Sequence, residues 1–219
     1  ELHDEIQQEL ISEISAEELI TILGDLELDE IVDILQVLPD RKTENILSAM
    51  SMRDRKRIRE ALEYPEDSAG GLMNTDIISV RPKHNLEVVM RYLRAQRELP
   101  KNTDQIFVVS RENKFLGSLP ISTIIVSDPN LNVRELMETE TQPLLVDLND
   151  KDVSRLFEQN DWVSAPVIDK ESNLIGRITI DDVVDVIMED ADQNFLGMAG
   201  VAEDTFAPPA RAAKSRILW

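Results

Sequence analysis

The stretch VVSRENKFLG at residues 108–117 is matched further along the chain by VIDKESNLIG at residues 167–176. In both stretches aliphatic residues lead into a polar turn, and the chain then returns through an apolar pair to glycine. An earlier match pairs Leu72-Met73 with Leu136-Met137. The offset is 64 residues between Leu72 and Leu136 but 59 residues between Val108 and Val167. The first copy therefore carries about five extra residues near 98–102. We expect two units of roughly 60 residues that pack on each other, since one alone buries little surface.

The pattern inside each copy predicts a strand, a helix, two more strands and a final helix, a βαββα unit. In the first copy, residues 77–80 and 106–109 have the composition of strands, and Asn85 can cap the helix between them. A turn at residues 112–114 precedes a third strand that opens at 115–117. The second copy repeats this order, with strands at 144–146, 165–168 and 174–176 and a helix capped by Asn149 or Asp150.

Residues 1–68 predict short helices in succession. Apolar residues recur at helical spacing before Pro39, and β-branched alternation is absent. Tyr64-Pro65 should end this helical part, and Gly70-Gly71 predicts a flexible joint before the repeats. The spacings that carry the helical prediction are those of Ile31, Ile34, Leu35 and Leu38, together with possible capping boxes at Ser15 with Glu18 and at Ser51 with Asp54.

Composition excludes several classes of function. The chain has 219 residues, with Lys+Arg 23 and Asp+Glu 43, and its net charge of −20 argues against binding nucleic acid. Zero cysteines remove disulfides and thiol chemistry, and two histidines leave little for imidazole catalysis. We therefore expect no catalytic activity. With no signal peptide and no run of about 18 apolar residues, the chain as given should be soluble.

The acidic residues are concentrated in two blocks. Residues 1–40 hold thirteen Asp or Glu and no Lys or Arg, and residues 178–210 are again acidic without any basic residue. Such blocks are either solvated helix faces or two faces that bind cations between them. Residues 211–219 are basic and end in Trp219, which is typical both of the cytoplasmic flank of a membrane span and of an ordinary helix end.

Two further segments narrow the interpretation. YPEDSAGGLM at residues 64–73 joins the acidic helical part to the first repeat, and ITIDDVVDV lies at residues 178–186. A tandem βαββα unit resembles a pair of CBS domains, which alone is a weak functional signal. Together with these two segments, essentially the whole chain resembles the cytosolic part of the MgtE family of magnesium channels and transporters.

The resemblance implies an α+β fold, in which an all-helical N domain is followed by a tandem CBS pair and the start of a connecting plug helix. It also implies a homodimer through the CBS pair and a transmembrane pore domain beyond this chain, at the cytoplasmic face of the bacterial inner membrane. The implied function is to sense Mg²⁺ and close the pore. The expected boundaries are 1–68 for the N domain, 69–132 and 133–192 for the CBS domains, and 193–219 for the plug helix.

Paired carboxylates suit this chemistry, because Mg²⁺ prefers oxygen ligands, keeps much of its water and takes only one or two carboxylates directly. Asp182, Asp185 and Glu189 have the spacing i, i+3, i+7 and share one face of a predicted helix. Asp29 and Asp33 form a similar pair at i, i+4. The apolar residues of the predicted helix that carries Asp182 should form its buried face: Ile180, Val184, Ile187, Met188 and Ala191.

The family's metal contacts, carried over by resemblance, fall in three places. Asp29 and Asp33 lie in the N domain, where Asp29 would face Asp182 of the second CBS domain. Asp161 would share an ion with Asp185 within the CBS pair, and Glu189 and Asp190 lie near the plug helix. Bound Mg²⁺ would cancel the repulsion between these acidic faces and draw the domains together. The implied contacts are Asp29, Asp33, Asp161, Asp182, Asp185, Glu189 and Asp190.

An adenine nucleotide such as ATP is the alternative ligand, since CBS pairs often hold one in the cleft between repeats. Pairs that do so usually have Thr or Ser and then Asp three residues later, which the second repeat keeps as Thr179 and Asp182. The first repeat departs from this pattern, with Pro120 and Thr123. Trp162 could stack on a base or belong to a core.

Two other functions of the acidic residues are a calcium-binding EF-hand and an acidic surface for a partner protein. An EF-hand at residues 147–158 is excluded, because Lys151 stands at the fifth ligand position and Asp152 at the turn that needs glycine. An acidic scaffold that binds a basic partner protein is the third class of function.

Overall fold

The computed structural model describes residue 26 and residues 31–32, 34–35, 38–96 and 98–198, with the backbone alone for residues 40, 53, 189–190 and 192–198. Helices come first and two three-stranded sheets follow, so the predicted α+β class is confirmed. Over this part of the chain, no helix is long and apolar enough to cross a membrane.

The helical region includes α1, Asp40–Ala49, and α2, Met52–Ala61. Ser51 caps α2 as predicted, because its hydroxyl accepts a hydrogen bond from the Asp54 amide (3.2 Å) and donates one to the Asp54 carboxylate (2.7 Å). The other predicted capping pair, Ser15 with Glu18, lies outside the described residues. This region buries one apolar cluster: Val32, Leu35, Leu38, Ile46, Leu47, Ile58 and Ala61.

Each repeat begins with a one-turn helix, followed by a short strand, a helix, an antiparallel hairpin and a last helix, so the predicted order is found. The first repeat comprises α3 Ala69–Leu72, β1 Ser79–Val80, α4 Leu86–Ala95, β2 Gln105–Val109, β3 Phe115–Pro120 and α5 Ile121–Val126. The second comprises α6 Val133–Leu136, β4 Leu144–Leu145, α7 Asp150–Asn160, β5 Ser164–Ile168, β6 Leu174–Thr179 and α8 Ile180–Met198.

The two sheets have the same pairing. In each, the first strand runs parallel to the second, and the second pairs antiparallel with the third. Both hairpins carry a register shift, at Val108/Val109 in the first and at Val167/Ile168 in the second. The hairpin turns also match, since Asn113 (φ 66°) and Ser172 (φ 65°) both adopt the left-handed conformation. The matched segments of the sequence therefore predict matched backbone geometry.

The segments that lead into the repeats are exchanged between them. Asn74, after α3, exchanges backbone hydrogen bonds of 2.8 and 2.9 Å with Arg177 of β6 in the second repeat. Glu138, after α6, does the same with Ser118 of β3 in the first repeat, at 2.8 and 2.9 Å. Accordingly, α3 packs in the core of the second repeat and α6 in the core of the first. The segment that leads into each repeat therefore bridges the last strand of the other repeat and contributes to its core.

The prediction of a flexible joint at Gly70-Gly71 was wrong. Both glycines lie in α3 and are buried. A Cβ atom on Gly70 would lie 2.6 Å from the ring of Tyr64, and one on Gly71 would lie 2.6 Å from the carbonyl oxygens of Pro65 and Glu66. These positions need glycine for close packing, so the junction between the helical region and the repeats is tightly packed.

Candidate functional site

The acidic candidates that the structure describes most fully lie on α8, which begins directly after β6. Val183 (0% exposed) and Val186 (8% exposed) are buried and fix the rotation of the helix against its own repeat. Asp185 is exposed, and Asp182 is half-buried at the first turn. One helix therefore carries both predicted carboxylates at the surface of the second repeat.

The predicted buried face of α8 is wrong for the chain by itself. Ile187 is 45% exposed and Met188 60% exposed, and Ile180, Val184 and Ala191 are also exposed. Among the α8 side chains that the structure describes, Val183 and Val186 form a buried apolar face, and a second apolar face is exposed. The helical periodicity correctly placed these apolar residues on one face of a helix. It could not distinguish a face that packs within the chain from one that is exposed.

Thr179 and Asp182 form one half of a capping box at the start of α8. The Asp182 carboxylate accepts a hydrogen bond from the Thr179 amide (3.1 Å) and lies 3.0 Å from the Thr179 hydroxyl, whose single proton is donated to Asp181. The spacing that was compared with a nucleotide motif therefore has a local structural role. A Thr-x-x-Asp pattern before a helix was the sequence signal for this cap, and it was not recognised.

The neighbouring Asp181 is tied to the first repeat. Its carboxylate accepts hydrogen bonds from the Thr179 hydroxyl and from the Asn102 side-chain amide, the latter at 2.8 Å. Partial burial alone would raise the pKa of Asp181, but these hydrogen bonds, its own backbone amide and the charge of Arg177 outweigh burial and lower it. Asp181 is therefore a carboxylate at neutral pH, next to both predicted metal contacts.

Asp161 and Trp162 occupy the turn between α7 and β5. Asp161 caps the end of α7 in the left-handed conformation (φ 53°) and is exposed. The Trp162 ring packs edge-to-face on Phe157, with ring centroids 5.6 Å apart. The carbonyl of Val163 accepts the Ile180 amide at 2.9 Å, so the turn that carries Asp161 adjoins the start of α8.

No cluster of three or more metal-ligating side chains occurs among the residues that the structure describes. Asp29 and Asp33 lie outside those residues, and Glu189 and Asp190 are placed on α8 by their backbone alone. The structure places Asp182 and Asp185 on α8 and Asp161 on a turn that adjoins the start of this helix, and it does not gather the three into one cluster. Their donors are all carboxylate oxygens, which fit Mg²⁺ in chemistry and suit an ion that keeps most of its water.

A cavity of about 610 Å³ lies between the repeats and is lined by Trp162 and Ser164 from one repeat and Gln105 from the other. Gln105 is the register partner of Pro120, so the cavity adjoins the altered motif of the first repeat. Thr179 does not line it. Trp162 lines the cavity, and Thr179 adjoins it as the register partner of the lining residue Ser164.

The repeats, their exchanged lead-in segments and the helical part before them define the class as a helical domain joined to a pair of CBS domains. Residues 1–67 match the MgtE intracellular N domain, and residues 69–129 and 133–189 match the CBS domain. The chain belongs to the MgtE family.

Named relatives support this assignment. The magnesium transporter MgtE of Thermus thermophilus is 30% identical over 199 residues, which are 88% of this chain and 44% of the relative. The crystal structure of the cytosolic domain of the Mg²⁺ channel MgtE in complex with ATP is 30% identical, with a TM-score of 0.72 over 81% of this chain and 78% of that one. The soluble part of a magnesium transporter is 25% identical, with a TM-score of 0.79 over 85% and 73%.

The chain is much shorter than its full-length relatives. It spans 44%, 36% and 49% of the curated magnesium transporters that it matches, and the matched region is an N domain with a CBS pair.

Proposed function

We propose that this chain is the Mg²⁺-sensing regulatory region of an MgtE-type magnesium channel or transporter and has no catalytic activity of its own. The observation that carries the proposal is the position of Asp182 and Asp185 on α8 of a chain in this family. Asp185 is presented to solvent, and Asp182 and the Asp161 turn lie nearby at the helix start. Mg²⁺ held between this surface and the acidic N domain would neutralise the repulsion between them.

The proposed contacts on the N-domain side are Asp29 and Asp33, and Glu189 and Asp190 would act near the plug helix. Several weak sites suffice for a switch. An ion at ten times its dissociation constant stabilises the bound shape by about 1.4 kcal/mol per site. A shift in population from 1:99 to 99:1 takes about 5.5 kcal/mol, so roughly four such sites would supply it.

The proposed assembly is a homodimer through the CBS pair. Two exposed apolar surfaces support it. One is the exposed apolar face of α8, and the other lies on α5, the equivalent helix of the first repeat, where Ile125 and Val126 are 68% and 83% exposed. Exposed apolar side chains on two helices of one module form a surface that a second copy of the chain would bury. The partner along the chain is the pore domain of the full-length protein, at the cytoplasmic face of the bacterial inner membrane. Residues 193–219 would be the plug helix that leads to it.

The test is small-angle scattering and limited proteolysis of the 219-residue chain, from chelator to excess Mg²⁺. We expect the radius of gyration to fall and protease protection to rise with Mg²⁺. The variant Asp182→Asn/Asp185→Asn should need severalfold more Mg²⁺ for protection, whereas Glu87→Gln/Glu171→Gln, which removes two exposed charges away from α8, should behave as the parent. A radius of gyration that does not respond to Mg²⁺ in the parent chain would refute the proposal.

Binding of an adenine nucleotide is the second candidate, favoured by the 610 Å³ cavity that Trp162 lines and by the ATP in the related cytosolic domain. In this chain ATP would stack on Trp162, without Thr179. Quenching of indole fluorescence by ATP, abolished in Trp162→Leu, would support it. A plain acidic scaffold would respond to neither Mg²⁺ nor ATP.

A further inference from the structure

The extra residues of the first repeat lie in the connection between its first long helix and its hairpin. Residues 96–104 link α4 to β2, whereas residues 161–163 suffice to link α7 to β5. We call residues 98–104 the strap. Its residues do not simply cover the first repeat, because the strap is hydrogen-bonded to the second repeat at three places.

The first attachment is a buried arginine. Arg177 of β6 is 3% exposed, and its two terminal nitrogens donate to the strap carbonyls of Lys101 and Asn102, the latter at 3.3 Å. The Arg177 Nε is buried without a hydrogen-bond partner, so the two strap carbonyls are the acceptors that satisfy this guanidinium, and their loss would leave its terminal nitrogens unsatisfied as well. The apolar core around β6 therefore holds the strap through a strong and directional contact.

The second attachment reaches α8 itself. Asn102, in the left-handed conformation (φ 52°), donates from its side-chain amide to the Asp181 carboxylate at 2.8 Å. The third attachment joins Asp104 to Ser164, whose hydroxyl donates to the Asp104 carboxylate at 2.5 Å. The first turn of α8 cannot move relative to the first repeat without breaking the bonds of Asn102 and Arg177.

We propose that the strap positions the first turn of α8, so that Asn102 and Arg177 are positioning residues for cation binding by Asp182 and Asp185. This inference rests on the proposed Mg²⁺-sensing function. Holding Asp181 on Asn102 fixes the adjacent capping box, and a carboxylate fixed before the ion arrives loses less entropy on binding. The strap makes the acidic surface of one repeat depend on a loop of the other.

The test is the Mg²⁺ concentration at the midpoint of protease protection of the full chain, with Mg²⁺ alone as the probe. Asn102→Gly removes the amide donor and keeps the left-handed backbone accessible. Asn113→Gly is the matched control, since Asn113 is also left-handed and donates across the repeats, to the Leu174 carbonyl at 2.9 Å. We expect the midpoint to rise about three- to tenfold in Asn102→Gly and to stay within twofold in the control.

A second measurement tests whether Asn102 acts through Asp181. In Asp181→Ala the addition of Asn102→Gly should change the midpoint no further, and additive changes would overturn the inference. So would an unchanged or lowered midpoint in Asn102→Gly, or an equal rise in both glycine variants, which would indicate general loosening of the CBS pair. Failure of the parent chain to respond to Mg²⁺ is a separate result that refutes the proposed function.

Discussion

Replacement of Gly71 by alanine distinguishes a packed junction from a hinge. A new methyl group would lie 2.6 Å from the carbonyl oxygens of Pro65 and Glu66, and the obstacle is backbone that cannot rotate away. Overpacking against fixed neighbours costs about 3 kcal/mol at the upper end of its usual range. Alanine returns about 1 kcal/mol through its greater helix propensity. The expected net loss is about 2 kcal/mol, which lowers the melting temperature by about 4–8 °C for a chain of this size.

The assay is thermal unfolding followed by circular dichroism, with Gly176→Ala as the control. A methyl group on Gly176 would lie 2.7 Å from the Met73 sulfur, which belongs to a flexible side chain, and 3.1 Å from the Asn74 carbonyl oxygen, so its loss should be smaller than that of Gly71→Ala. If Gly71 were a flexible hinge, alanine would stabilise the chain by about 0.4–1 kcal/mol through the unfolded state. A Gly71→Ala variant as stable as the parent, or more stable, would refute the reasoning.

Three further outcomes are expected. Ile187→Glu should convert a dimer to a monomer in sedimentation, whereas Leu116→Glu, a comparable exposed site away from α8, should not. Arg57→Met removes hydrogen bonds and an ion pair of 2.8 Å that join α2 to residues 75–76, and should speed chymotryptic cleavage more than Lys56→Met, whose pair is solvated. Burial would raise the pKa of Asp169, but hydrogen bonds and the charge of Lys114 lower it below 3.8, so its stabilising effect is present above that pH and is lost as pH falls further. Asp169→Asn should therefore be less stable than the parent at pH 7 and indistinguishable from it in strong acid, by chemical denaturation.

The repeat was the most predictable part of the fold, because two segments with the same turn chemistry dictate the same hairpin. Asn113 and Ser172 illustrate this, since both adopt the left-handed conformation although only one is asparagine. The exchange of lead-in segments was not predictable, because Leu72-Met73 and Leu136-Met137 show that the copies match and not which sheet each one completes. Gly70-Gly71 misled for a related reason, since glycine permits both flexibility and close approach.

The candidate site shows the same limit. Sequence spacing placed Asp182 and Asp185 on one helix correctly, and the roles assigned to them stay predictions. The partners Asn102 and Arg177 were missed, although an arginine within the apolar stretch LIGRIT was a visible sign of an unusual buried charge. Their contacts join residues 75 or more positions apart, and no local pattern reports such a distance.

The exchanged lead-in segments also decide how force travels through the molecule. The chain that leaves the helical region is built into the sheet of the second repeat before it begins the first, at Asn74 beside Arg177. A pull on the helical region would load β6, and then α8 that follows it, without first straining the repeat that comes next in sequence. The N-terminal region is therefore coupled mechanically to the second repeat, although the first repeat is nearer to it along the polypeptide.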